Sequence, residues 1–229
     1  MFFDSSFLLL IPAMLFAFWA QWKVQHTYKK FSQVPAANGR TGREMAVAIM
    51  SRNGISDVAV EKVGGVLSDH YDPRAKIVRL SVHNHDDRSI SAIAVAAHEV
   101  GHVLQHAQGY APLQLRTAIV PVANIGSMLA FPLFMIGMFF SMPGISGPLM
   151  DIGILLFTGA VLFQVVTLPV EFDASKRALA QLTTTGAVAP DEVSHAKQVL
   201  DAAALTYVAA AAMAAVHLLR LVLIRNSRN

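Results

Sequence analysis

AIVPVANIGSMLAFPLFMIGMFF, residues Ala118–Phe140, runs for twenty-three residues without a charged side chain. A helix of that length crosses a hydrocarbon layer of about 30 Å, and no soluble core of this size hides such a run. Pro121 and Pro132 predict kinks in it. Just beyond, Ser141–Pro148 is rich in Gly and Pro and reads as a short uncharged turn. Ile152–Leu168 is apolar again, with Asp151 near the outer surface, so residues 118–168 are expected to form a transmembrane hairpin that ends at Pro169.

Working outward from the hairpin, Phe7–Trp22 is another apolar run, bent slightly at Pro12. Met1–Ser6 lacks the basic stretch that opens a signal peptide, whereas Lys23, Lys29 and Lys30 follow the run. Trp19 and Trp22 suit the interface, and the positive-inside rule reads residues 1–22 as an anchor whose following loop is cytoplasmic. At the other end, Ala202–Ile224 is apolar but interrupted by His217 and Arg220. A full crossing there would leave Arg225 and Arg228 outside, against the charge rule, so three spans are expected and a fourth is open.

Composition agrees. Of the residues, 54% are hydrophobic and 14% charged, against about 25% charged in an average soluble domain. Twelve of the eighteen Lys and Arg residues fall between Lys23 and Arg116. The absence of cysteine excludes disulfides, thiolate metal sites and cysteine nucleophiles, leaving His, Asp and Glu as metal ligands. A net charge of +3 without a basic, aromatic-studded patch argues against nucleic acid.

The polar stretch 23–117 has its own structural signals. Thr41 and Glu44 form a capping-box pattern for a helix carrying Met45, Ala46, Ile49 and Met50 and ending near Gly54. Val58, Val60 and Val63 alternate as in a strand, Gly64-Gly65 and Asp72-Pro73-Arg74 mark turns, and Ile77, Val78 and Leu80 predict another strand. Ser89 or Ser91 caps a helix that runs to about Gln108 and stops at Gly109. His83 and His85 are expected in a solvent-facing loop. Downstream, 171–201 reads as two short helices broken at 183–189.

Inside the predicted helix lies Ala97-His98-Glu99-Val100-Gly101-His102-Val103. Positions four apart on a helix lie about 40° apart around the axis and about 6 Å along it, so both imidazoles reach one ion. Glu99 points to a neighbouring sector, where it contacts a metal-bound water rather than the ion. Two His ligands and a Glu base at this spacing are the apparatus of metal-assisted peptide hydrolysis. The bland alternative is a hydrogen-bonded structural cluster. The apolar turn before the motif weighs against it, because burying these side chains without partners costs several kcal/mol.

His106 continues the spacing but lies about 12 Å from His98 along a straight helix, too far to share an ion. No His stands six residues after His102, so the third ligand lies elsewhere. Glu171, just after the returning span, is the favoured candidate, and Asp173 is the rival. The plain alternative makes both acids helix-dipole residues at a helix start.

The phrases LSDHYDPR (67–74), AAHEVGH (96–102) and PVEFDAS (169–175) resemble the membrane gluzincins, which include the heat-shock-type and CAAX-processing peptidases. The nearer resemblance is to the YugP-like neutral zinc metallopeptidases of bacteria, and it covers the chain from about Gly39 onward. It implies a mainly α integral membrane protein: a zincin-like α+β catalytic domain, made of the HExxH helix and a small edge-strand sheet, fused to three or four transmembrane helices. It implies Zn2+ held by His98, His102 and Glu171, with Glu99 as catalytic base. Better-known gluzincins carry Asp four residues after the ligand Glu; here Ser175 stands there. Asp173, Ser175, His70 and His106 are candidates for supporting the ligands or touching substrate, and Tyr207 for polarising the scissile carbonyl, with His217 as its rival. The strand at 77–81 is the candidate edge for pairing an extended substrate.

The resulting division is an anchor (1–22), a cytoplasmic zincin-like region (23–117), a transmembrane hairpin (118–168), a third-ligand helical region (169–201) and a C-terminal apolar helix with its tail (202–229). The expected function is a zinc metalloendopeptidase in the bacterial cell membrane, multi-pass, with its active site on the cytoplasmic side and peptides or membrane proteins as substrates. The alternative is a catalytically inactive membrane scaffold or metal-binding adaptor with the same cluster.

Overall fold

A computed structural model describes residues 5–66, 68–140, 144–184 and 188–228. Leu67, part of the turn expected at 141–148 and part of the break expected at 183–189 lie outside the described residues. After a short helical turn at Ser5–Leu9 come α1 (Leu10–Ser32), α2 (Gly42–Arg52), β1 (Ala59–Val63), β2 (His70–Asp72), β3 (Ile77–Ser81) and α3 (Val82–Asp86). Then follow α4 (Ile90–Ala107), α5 (Ala111–Phe139), α6 (Ser146–Thr184) and α7 (Pro190–Asn226). The protein is mainly helical with one small mixed sheet.

Two compact units divide the chain: one of Met1–Ala20, Gln114–Leu168 and Thr206–Asn229, the other of Gln21–Leu113 and Pro169–Leu205. Four helical stretches are long and apolar enough to cross a membrane: Ser6–Ser32, Ala111–Phe139, Ser146–Thr184 and Pro190–Asn226. The fourth includes the segment whose course the charge rule left open.

In the second unit the capping box forms as its sequence requires. The Thr41 hydroxyl accepts from the Glu44 N–H at 3.1 Å, and the Glu44 carboxylate accepts from the Thr41 N–H at 2.8 Å. Met45, Ala46, Ile49 and Met50 then face inward and pack with α4 residues Ile93, Ala97 and Val100 in one core. Ser89 caps α4 by accepting from Ala92 N–H.

The sheet order is β1-β3-β2, with β1 parallel and β2 antiparallel to β3. This corrects the role expected for 77–81. β3 is the central strand, paired with β1 along its length and with β2 over Ile77–Arg79, so it is not an edge open to a substrate. Two further expectations change. His83 and His85 belong to the short helix α3 rather than a loop. Pro169 does not end a helix: α6 continues to Thr184, so Glu171 sits well inside it rather than at a start.

In the first unit, Pro121 and Pro132 lie within the continuous α5. Gly153 of α6 lies against α5, where an added Cβ would fall 2.7 Å from the Ala130 carbonyl oxygen. Small residues let apolar helices approach this closely. Arg225 near the end of α7 pairs with Asp151 near the start of α6, at 2.8 and 3.1 Å. Of the two charges that opposed a crossing by α7, Arg225 is thus paired with an acid, and Arg228 donates to the Met138 carbonyl.

Candidate metal centre

Two helices build the site. From α4 come His98 and His102, one turn apart and both set against the core. From α6 comes Glu171, whose side chain is almost fully buried. One ligand atom from each of the three lies within 4.8 Å of the others. Glu171 Oε2 is 3.3 Å from His98 Nε2 and 3.6 Å from His102 Nε2. Tetrahedral coordination at about 2.1 Å places neighbouring ligand atoms about 3.4 Å apart, so the spacing fits a single zinc-sized ion. A two-His, one-carboxylate donor set is also one that zinc accepts.

What surrounds these ligands fixes their orientation. Gln105, fully buried, donates through Nε2 to the Val170 carbonyl at 2.8 Å and to Asp173 Oδ2 at 2.9 Å. Both amide hydrogens are thereby committed, which leaves Gln105 Oε1 as an acceptor 3.0 Å from His102 Nδ1. His102 therefore carries a proton on Nδ1, which leaves Nε2 as the ring nitrogen facing Glu171. His98 Nδ1 lies 3.1 Å from Ser175 Oγ. Ser175 thus contacts the first His directly, at the position where the resembling enzymes carry Asp.

Asp173 is not brought to the ligand cluster. It accepts from Gln105 and pairs with Arg177, so its contact with the site runs through His102's partner. His106 pairs instead with the Tyr71 hydroxyl, at 2.8 Å. His70 is exposed and bonded to the Ser68 carbonyl at 2.9 Å. Tyr207 and His217 lie on α7, in the other unit.

Glu99 is buried beside this cluster, and burial pushes its carboxyl up to about 7. His98 works against that shift, the negative Asp69 and Glu171 reinforce it, and a hydrogen bond from the Tyr71 backbone opposes it. Asp69 is itself held by Ser81 N–H at 2.7 Å and Asn84 Nδ2 at 2.8 Å. A carboxyl poised near neutrality, next to a potential ion site, suits proton transfer.

The sequence reading missed two residues here. Gln105 carried a signal: three residues after His102, it shares a helix face with it. Tyr71 carried almost none, because β2 has only three residues and no alternation to read. A third, Gly101, was within the motif but unremarked. A Cβ there would lie 2.5 Å from the Ala174 carbonyl oxygen, so its lack of a side chain permits the α4–α6 approach.

Comparison with known proteins identifies the family. The family described as "Putative neutral zinc metallopeptidase" matches residues 6–226. The chain is 50% identical over 216 residues to the "Putative membrane protease YugP" of Bacillus subtilis (strain 168), covering 94% of each. No solved structure matches. The family implies Zn2+, and the three side chains that meet here fit it. With a match across nearly its whole length and four helices apolar enough to span a bilayer, this membrane protein belongs to the neutral zinc metallopeptidase family.

Proposed function

We propose that the protein is a multi-pass membrane endopeptidase of the gluzincin type, with Zn2+ held by His98, His102 and Glu171 and Glu99 as general base. The observation that carries this reading is the convergence of those three ligand atoms beside a buried carboxyl near neutral pKa. Zinc bound there supplies Lewis acidity towards a peptide carbonyl and lowers the pKa of water at the site. Glu99 takes a proton from the attacking water and delivers it to the departing amine as the C–N bond breaks. Gln105 and Ser175 hold the two imidazoles in the orientation that keeps their Nε2 lone pairs together.

For substrate, β2 replaces β3 as the edge that pairs an extended peptide. It is an outer strand of the sheet, and Tyr71 on it is the residue whose backbone meets Glu99. The lysine-rich stretch after the first apolar run favours a cytoplasmic site, with peptides or membrane proteins as substrates.

The test combines zinc analysis with hydrolysis of a quenched fluorescent peptide library by detergent-purified protein. About one zinc per chain and cleavage lost in Glu99→Gln with zinc retained is the expected result. Undiminished cleavage by Glu99→Gln refutes the base assignment. Zinc binding without any cleavage by wild type supports the inactive adaptor instead.

A further inference from the structure

The unit holding Asp151 and Arg225 contains a second feature, unrelated to the zinc ligands. A cavity of about 370 Å³ opens between the late turns of α5 and α7. Its size falls in the range of about 300–1,000 Å³ usual for small-ligand sites. Phe131, Phe134, Leu221 and Ile224 line it, and so do two guanidinium groups, Arg220 and Arg228.

Arg220 is the unusual member. It stands six residues before the end of α7, about 9 Å along the helix from Asn226. Its Nε is buried with no hydrogen-bond partner among the described residues, and its guanidinium lies over the ring of Phe7, 5.6 Å from the centroid. An arginine inside an apolar helical unit is costly unless an anion or a water-filled space meets it. The protein supplies little at this end. Asp151 is the only acid among the described residues of the unit, and both its oxygens are taken by Arg225. Arg228 donates to the Met138 carbonyl, a neutral acceptor.

An anion from outside would match both guanidiniums, whose fork geometry fits phosphate oxygens. A free phosphate would leave the phenylalanine and leucine walls against water. A molecule with a phosphate at one end and hydrocarbon at the other satisfies the whole lining. We infer that this cavity binds an anionic phospholipid, its phosphate on Arg220 and Arg228 and an acyl chain against Phe131, Phe134 and Leu221.

The test uses the full chain, purified in detergent and exposed to phosphatidylglycerol or phosphatidylcholine, with retained lipid counted by native mass spectrometry. Wild type should retain phosphatidylglycerol in preference to phosphatidylcholine. The double variant Arg220→Gln/Arg228→Gln should bind it at least about tenfold more weakly, as loss of charged hydrogen bonds predicts. Lys23→Gln, which removes one positive charge elsewhere, should behave as wild type. Equal retention of both lipids by wild type overturns the inference, as does unchanged retention by the double variant. Displacement of the lipid by millimolar inorganic phosphate would make this a free-anion site and equally overturn it. If the double variant fails to fold, wild type alone decides. Its melting temperature in phosphatidylcholine bicelles should rise and saturate as phosphatidylglycerol is added, and no saturable rise refutes the site.

Discussion

Replacing Gly101 by Ala tests whether the approach of α4 to α6 sets the ligand spacing. The new Cβ would lie 2.5 Å from the Ala174 carbonyl oxygen, 3.0 Å from its carbon and 3.1 Å from its Cα. All three are backbone atoms, so no rotamer change relieves the contact. Ordinary contact begins at 3.4 Å, which requires the helices to part by about 0.9 Å if neither bends. Glu171 is one turn before Ala174, and His98 and His102 flank Gly101, so the ligands move with the contact. The separations of 3.3 and 3.6 Å would grow to about 4.2 and 4.5 Å, whereas metal sites tolerate about 0.2 Å in each bond. Zinc affinity should fall about 10- to 100-fold and peptide cleavage about 100-fold. Overpacking should cost about 1–3 kcal/mol of stability.

The sign makes this prediction discriminating. On a helix with free space around it, Gly→Ala stabilises by about 1 kcal/mol. Zinc affinity measured by chelator competition, with thermal melts of the same samples, separates the two cases. Affinity within twofold of wild type and an unchanged or raised melting temperature would refute the argument that this glycine sets the site.

The remaining predictions concern the ligands, their supports and the buried carboxyl. His98→Ala and Glu171→Ala should abolish stoichiometric zinc, whereas Asp173→Ala should keep it at reduced affinity; elemental analysis distinguishes them. Gln105→Leu frees the His102 tautomer and strands the Val170 carbonyl, so zinc affinity should drop about 10- to 100-fold by chelator competition. In metal-free protein, Glu99 binds its proton more tightly folded than unfolded, so its contribution is fully present below pH 4.5 and is lost as pH rises through about 7. The loss is about 3 kcal/mol. Melts of chelated wild type and Glu99→Gln across that window should diverge by this amount, and parallel curves would count against the burial of an ionisable Glu99.

Much of this protein was legible as sequence because the signals were local or compositional. Charge-free runs announce apolar helices wherever they fall, and the HExxH spacing puts two imidazoles on one helix face without any tertiary information. The Thr41–Glu44 box and the Ser89 cap depend on neighbours within four residues, and both formed as read. Helix boundaries in the second half were less legible. Pro169 looks like a stop, yet α6 passes through it. A proline removes one backbone donor and crowds the preceding turn, and surrounding packing can offset that local cost.

What only the tertiary structure decided is which groups meet across long separations. Sequence nominated Glu171 and Asp173 together; packing brought Glu171 to both imidazoles and gave Asp173 to Gln105 and Arg177. Sequence saw two strands; pairing made β3 central and added β2 as the edge beside Glu99. The physical reason is common to both. Strand order and carboxylate contacts are pairwise properties of residues dozens of positions apart, and side-chain identity alone does not encode which neighbour lies within 4 Å. Gly101 gives the same lesson: its role depends on one backbone carbonyl, Ala174, seventy-three residues away in the chain.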